Sequence, residues 1–237
     1  MKSVPFLIAF AASFLVAVQA PRVRAAENEG IALAIIYDTS GSMRDPVKDR
    51  SGHTAPKYVI ANRALVAIAQ QLQKYSTNAA GAPRKMEVGL FTFAPKGVWA
   101  KEVVPFGPFD AAAITTWANS FDHPAGNTPL GNAMKHAAQK VLGSSLNHKH
   151  ILVITDGENT AGPDPAAVIP QLRQQAHASQ TSLSLHFVAF DVNAKVFEPV
   201  KKLDATVVSA SDETQLNTQL SYILQRKILL EDEDPKK

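Results

Sequence analysis

Ile31-Ala32-Leu33-Ala34-Ile35-Ile36-Tyr37-Asp38-Thr39-Ser40-Gly41-Ser42 is the stretch whose reading decides the fold. Seven apolar residues run without interruption into a polar turn. An unbroken apolar run of this length is what a parallel strand covered on both faces requires. The turn that follows is built from ordinary turn residues. It carries one carboxylate and two hydroxyls at alternate positions, Asp38, Ser40 and Ser42. A tight turn can aim three such oxygens at one point, and a compact oxygen shell is what a hard divalent cation such as Mg²⁺ demands.

Two further oxygens lie far downstream at informative places. Thr128 stands in Gly126-Asn127-Thr128-Pro129-Leu130, where a helical pattern begins. Asp156 follows the apolar run Ile151–Thr155 and precedes Gly157. The order Asp-x-Ser-x-Ser, then Thr, then Asp resembles the metal-ion-dependent adhesion site of von Willebrand factor A domains. Ile36-Tyr37 before the first Asp, Met43 after the last Ser, Thr128-Pro129-Leu130 and Thr155-Asp156-Gly157 are similar to the same family. The resemblance runs from about Gly30 to Leu230. It implies a bound Mg²⁺, with Mn²⁺ or Ca²⁺ as alternatives, held by Asp38, Ser40, Ser42, Thr128 and Asp156. It also implies that Ser40, Ser42 and one of Thr128 or Asp38 bind directly, while Asp156 acts mainly through water. The cation's open position would then take the Asp or Glu carboxylate of a partner protein.

Other readings of the same residues are weaker. Asp38-Thr39-Ser40-Gly41 is also similar to the catalytic loop of aspartic proteases, which needs two carboxylates sharing a proton. The second copy would have to be Thr155-Asp156-Gly157, which has the wrong order. A metal-dependent hydrolase needs a general base beside the metal. No His-Glu-x-x-His, Gly-x-Ser-x-Gly or Walker pattern is present; after Gly157 to Gly162, Pro163 stands where a Walker lysine belongs. His148-Lys149-His150 is the one close histidine pair and reads as a solvated turn. A scaffold domain with a vestigial metal site is disfavoured by the complete set of five oxygen residues. The expectation is a non-enzymatic binding module with no catalytic residues and no organic cofactor.

Strands are expected at Ile31–Asp38, Glu87–Phe93, Ile151–Thr155, Leu183–Phe190 and Thr206–Ser209, with a short edge strand at Val98–Val104 after a turn at Pro95-Lys96-Gly97. Between them Tyr58, Ala61, Leu65, Ile68, Leu72 and Tyr75 recur at helical steps and make one apolar stripe. Pro129 to Leu142, with Thr128 as cap, predicts a second helix. Further helices are expected at Asp110–Asn119, Pro165–Ala178, Ala194–Leu203 and, capped by Ser211, Asp212–Leu230. Arg44 to Pro56 and Ala79 to Arg84 read as irregular. Alternating strands and helices predict an α/β fold, doubly wound around a mostly parallel central sheet with helices on both faces. Ligands of such sheets bind beyond the carboxyl ends of the strands, where Asp38 and Asp156 fall.

The chain has 237 residues, no cysteine and a formal net charge of +3. Its start reads as a leader: Lys2, then an apolar stretch from Val4 to Val18 that is short for a membrane span. Cleavage after Val23-Arg24-Ala25 would leave a mature chain starting near Ala26. Removing residues 1–25 takes away Lys2, Arg22 and Arg24 and no acid, leaving 21 basic against 21 acidic residues. The sequence thus gives no basic stripe of the kind nucleic acid requires. An exported chain without disulfides suits a bacterial periplasmic or secreted protein. A membrane association is expected only if the leader stays uncleaved. The organisation expected is a signal peptide over 1–25, one domain over 26–230, and a charged, disordered tail over 231–237.

Overall fold

Six strands form the central sheet of this computed structural model, which describes residues 28–77, 81–94 and 99–230. The expected leader, the turn at Pro95-Lys96-Gly97, the first part of the Ala79–Arg84 loop and the charged tail lie outside the described residues. In chain order the strands and helices are β1 (Ile31–Tyr37), β2 (Pro46–Lys48), β3 (Thr54–Pro56), α1 (Lys57–Tyr75), β4 (Met86–Phe93) and β5 (Ala100–Pro108). Then come α2 (Ala111–Ser120), α3 (Leu130–Gly143), β6 (His148–Thr155), α4 (Pro165–Ala178) and β7 (Ser184–Phe190). The chain finishes with α5 (Glu198–Lys201), β8 (Thr206–Ala210) and α6 (Glu213–Ile223), which runs into a π-helical turn, Leu224–Ile228. The sheet order is β5-β4-β1-β6-β7-β8, and only β5 runs antiparallel to its neighbour.

β1 sits in the middle of the sheet and is buried along its whole length, as its apolar run demands. Its two faces differ. Ile31, Leu33, Ile35 and Tyr37 face α1, α2 and α6, in a core with Ile60, Leu65, Ile68, Leu216 and Leu220. Ala32, Ala34 and Ile36 face α3 and α4, packing with Ala133, Met134, Ala137, Ile169 and Leu172. Small residues on both partners let α3 lie close over β1, which carries its N-terminal end to the edge of the sheet where β1 ends.

The structure corrects several boundaries. β5 is longer than the expected Val98–Val104 and reaches Pro108. Val88 pairs with Gly107 and Leu90 with Val104, so Pro105 and Phe106 stand opposite Gly89 as a bulge. Pro105 needs no ladder partner there, and a Cβ on Gly89 would stand 2.9 Å from the Phe106 Cα. The expected irregular segment Arg44–Pro56 contains the β2–β3 hairpin, whose turn is tied by Asp49 Oδ1 accepting from the Ser51 and His53 amides. α3 begins at Leu130 with Pro129 in the cap position, not Thr128. Asp212, not Ser211, caps α6, its carboxylate accepting from the Gln215 amide. The expected Ala194–Leu203 helix is a 3₁₀ turn, Ala194–Phe197, followed by α5.

His148-Lys149-His150 is not a solvated turn; it opens β6. Lys149 and His150 are buried. Lys149 Nζ donates to the Val141 and Ser144 carbonyls, at 3.0 and 2.5 Å, and so closes the C-terminal end of α3. His150 Nδ1 lies 3.3 Å from His186 Nε2 on β7.

Candidate metal centre

Asp38 leaves the end of β1 and is fully buried. Its Oδ1 accepts from the Ser40 amide at 2.7 Å, closing the turn. Its Oδ2 accepts from the Thr155 hydroxyl at 2.5 Å, across from the neighbouring strand β6. Thr39 faces the other way; its hydroxyl donates to the Phe93 carbonyl and accepts from the Phe93 amide, pinning the turn to β4. A 3₁₀ turn, Gly41–Arg44, then carries Ser42, with Met43 buried beneath it.

From this turn hydroxyls and carboxylates link in series. Ser40 Oγ lies 3.1 Å from Ser42 Oγ, and Ser42 Oγ donates to Asp156 Oδ1 at 2.9 Å. Thr128 is buried, with its Oγ1 3.9 Å from the point where a Gly157 Cβ would stand; Ser42 Oγ is 4.0 Å from the same point. The five residues singled out in the sequence therefore gather at the carboxyl edge of the sheet, from the β1 turn, the loop before α3 and the end of β6. Two backbone bonds and one side-chain bond hold those loops together. The Gly41 amide donates to the Gly126 carbonyl, the Ala125 amide to the Thr39 carbonyl, and Arg44 Nε to the Pro124 carbonyl.

The glycine-rich segment after Asp156 explains the Walker-like spacing in structural terms. The Thr160 amide donates to the Thr128 carbonyl, and the Thr160 hydroxyl accepts from the Thr128 amide. Gly131 lets the segment lie against the first turn of α3, since a Cβ there would meet the Pro163 carbonyl oxygen at 2.0 Å. The segment clamps Thr128 rather than cradling a phosphate.

Lys57 is the site residue the sequence reading missed. It is the first residue of α1, is buried, and places Nζ 3.1 Å from both Asp156 Oδ2 and Asp191 Oδ2. A signal was present: a lysine opening a helix opposes the helix dipole, and no acid in the first turn offsets it. Asp191 follows β7 with φ of 52°, a left-handed conformation that Asp tolerates better than most residues. Neither residue has a distinctive sequence spacing, so only the fold brings them to the site. Burial works against the charged form of Lys57, but Asp156 and Asp191 together raise its pKa above the usual lysine value.

Electrostatically the two site carboxylates differ. Burial, and then repulsion from Asp156, push Asp38 up to a pKa of about 6 despite its donors Ser40 and Thr155. Asp156 has an ammonium against one oxygen and a hydroxyl against the other. Among the described residues no three or more His, Cys, Asp or Glu side chains are grouped so as to hold a metal ion by themselves. The donors are hydroxyls and carboxylates without sulfur or imidazole, which fits a small hard cation and not a thiolate- or imidazole-seeking one.

The matching of residues 32–222 to the von Willebrand factor type A domain shows the family, and the chain belongs to it. The uncharacterized protein YwmD of Bacillus subtilis is 26% identical over 195 residues, covering 79% of this chain and 80% of that protein. The PilB minor pilin of Streptococcus sanguinis has the same fold, with a TM-score of 0.62 at 16% identity, over 87% of this chain and 62% of the pilin. Proximal thread matrix protein 1 of the mussel byssus, solved with a zinc-occupied metal-ion-dependent adhesion site, matches with a TM-score of 0.58 at 15% identity. That match takes in 83% of this chain and 48% of the byssus protein. Domains of this family commonly bind a divalent metal at that site and mediate protein–protein interactions. Among the described residues no helix is long and apolar enough to cross a membrane.

Proposed function

We propose that this chain is an exported adhesion or assembly module that binds a partner protein through a divalent cation. Asp38, Ser40, Ser42, Thr128 and Asp156 would hold the cation, with Mg²⁺ the first choice among hard cations and Mn²⁺ or Ca²⁺ as substitutes. The observation that carries the reading is the convergence of these five oxygen side chains from three segments onto one edge of the sheet, four of them buried and Ser42 exposed. The cation supplies an electrophilic centre, because three of its five protein donors are neutral hydroxyls. A partner's Asp or Glu carboxylate is the anionic oxygen that such a centre takes. The chain's own residues set the frame: Thr155 and the Ser40 amide orient Asp38, Ser42 orients Asp156, and the Thr160 clamp fixes Thr128. A hydrolytic role lacks a general base in this frame, so the reading is a binding one.

Titration of the chelator-treated protein with Mn²⁺, followed by electron paramagnetic resonance, tests the metal step. Asp38→Ala is expected to lose binding by at least about a hundredfold, since it removes one of two anionic donors. Unchanged Mn²⁺ affinity in that variant would sink the assignment. Capture of partners with Mg²⁺ present or chelated tests the second step; partners retained equally without metal would remove the cation from the interface. Export rests on the leader-like residues 1–25, and the mature N-terminus is expected near Ala26. An exported protein that still begins at Met1 would show an anchor instead.

A further inference from the structure

Lys57 and Asp191 lie outside the five-oxygen set, yet one of them touches a member of it. We propose that the two halves of this ion pair tune the site in opposite directions, Lys57 weakening and Asp191 strengthening cation affinity, so that together they leave it matched to a divalent ion. The inference rests on the metal reading above and names residues that tune it.

Three observations carry it. Lys57 Nζ bridges Asp156 Oδ2 and Asp191 Oδ2, each at 3.1 Å, so one ammonium is shared between a proposed ligand and a carboxylate from another strand. Counted together, the carboxylates of Asp38, Asp156 and Asp191 against one ammonium leave a formal charge of −2. That balances the charge of one divalent cation. Without Lys57 the same residues would carry −3, and without Asp191 only −1. Secondly, the fold places both residues against local preference. Lys57 opens α1 against the helix dipole, its amide donating to the Asp45 carbonyl, and Asp191 takes a left-handed backbone with its amide donating to the Ala210 carbonyl. Thirdly, the ammonium occupies Asp156 Oδ2 while the Ser42 hydroxyl occupies Oδ1, so neither oxygen of Asp156 is without a donor. An Asp156 held in this way favours a role through water over direct coordination. Mg²⁺, which gives up its waters reluctantly, is suited to such a role.

The electrostatic reading demands opposite signs from the two halves of one ion pair. A unit charge within a few ångströms of the ligand carboxylate shifts cation affinity by about tenfold at a partly shielded site. Lys57→Met is expected to tighten Mn²⁺ binding about tenfold. Asp191→Asn keeps the left-handed backbone but removes a charge whose side chain is 40% exposed. It is expected to weaken Mn²⁺ binding about threefold, because solvent screens it more. The double variant restores a formal −2 and is expected within about twofold of the wild type.

The measurement is Mn²⁺ affinity of the full chain after chelator treatment, with apo melting recorded for every variant. Two single variants that shift affinity in the same direction, or not at all, would overturn the inference. A purely structural ion pair gives that result, since losing either half then loosens the same loops. If Lys57→Met does not fold, Asp191→Asn decides alone. Weaker binding with an unchanged apo melt supports the inference; equal or tighter binding overturns it. Failure here is separable from failure of the metal reading. A wild type that binds no Mn²⁺ removes both. A wild type that binds while Asp38→Ala does not, with Lys57→Met weaker, removes only the tuning pair.

Discussion

β6 joins two regions that handle buried ionisable groups in opposite ways. Near its start, His150 stacks on His186 of β7, with ring centroids 5.5 Å apart. Beyond its end, Asp156 meets Lys57, and Thr155 holds Asp38. Between the two histidines the protein avoids charge. Burial, then His186 and His148, hold His150 well below the usual histidine pKa, and burial followed by Lys227 pushes His186 down to about 4. At the carboxylate end charge is kept, by an ammonium for Asp156 and by dipolar donors alone for Asp38. Burying a charge without full compensation is costly. A protein that keeps one at a strand end is spending stability where a ligand of opposite charge could return it.

The largest expected effect follows from Asp38. Its folded pKa of about 6 exceeds its ordinary value of 3.8, so the folded state binds the proton more tightly. Stability therefore falls as pH rises through about 4 to 6, and the ionised group costs roughly 3 kcal/mol at neutral pH. Asp38→Asn removes the charge and keeps an acceptor for Thr155 or Ser40. Its metal-free form is expected to be more stable than the wild type by about 2–3 kcal/mol at pH 7.5, with the gain shrinking to near zero by about pH 4. Urea unfolding at several pH values, in chelator, reads this directly. A metal-free Asp38→Asn protein less stable than the wild type at pH 7.5 would mean that Asp38 is structural, and the contrast between the two ends would collapse.

The histidine end predicts the opposite slope. For His186 the folded pKa is depressed, so the unfolded chain binds more protons between about pH 4 and 6.5. Stability is lost as pH falls through that window, by roughly 3 kcal/mol for this group. His186 Nδ1 has no hydrogen-bond partner among the described residues, so His186→Leu forfeits none at that nitrogen. The two ends thus oppose each other in acid: protonating Asp38 favours the fold and protonating His186 disfavours it. The wild-type profile between pH 4 and 6 should be shallow, tipped toward acid lability by His150. Asp38→Asn should steepen the acid loss, and His186→Leu should flatten or reverse it. Parallel profiles for the wild type and His186→Leu would show that His186 binds its proton equally well folded and unfolded, and that end would have no electrostatic character to compare.

How far this contrast could be read beforehand depends on sequence distance. Asp38 and Asp156 were legible because each follows an apolar run, and the strand-end rule puts both at one edge of the sheet. Thr128 was legible through its neighbours Gly126 and Pro129, although its role as a helix cap was not borne out; its amide and carbonyl are claimed by Thr160. The pairing of Lys57 with Asp191 was not legible, although Lys57 opening a helix against its dipole was, because the pairing depends on how α1 and the end of β7 meet in the fold, and no spacing in the chain encodes that. His148-Lys149-His150 misled because polar residues at the start of an apolar run look like a turn. Here one of them caps a helix with its ammonium and another is buried neutral against a second histidine. β5 was underestimated because Pro105, Gly107 and Pro108 look like a terminator, while a bulge opposite Gly89 lets the pairing continue.

The smallest expected effect tests whether the partner, rather than burial itself, decides the sign at a carboxylate. Glu213 opens α6 and is as buried as Asp38, at 1% exposure. Its Oε2 accepts from Arg63 Nη2 at 2.8 Å and from the Arg50 amide at 3.1 Å, joining α6 to α1 and to the β2–β3 hairpin. A guanidinium faces it, where only dipoles face Asp38. The same chemical change, carboxylate to amide, should therefore act in opposite directions at the two positions. Glu213→Gln leaves an acceptor for the Arg50 amide but strips Arg63 of its counter-charge. Because the Arg63 side chain is 42% exposed and screened by water, the loss is expected to be only about 1 kcal/mol. Hydrogen exchange locates it: protection should fall at the start of α6 and in the hairpin, and not at β6. A stabilised Glu213→Gln protein would mean that burial outweighs the ion pair there as it does at Asp38. The bond of the Arg50 amide, which ties the hairpin after the Asp38–Ser42 turn to the last helix, would then act as a plain hydrogen bond with no net help from the ion pair beside it.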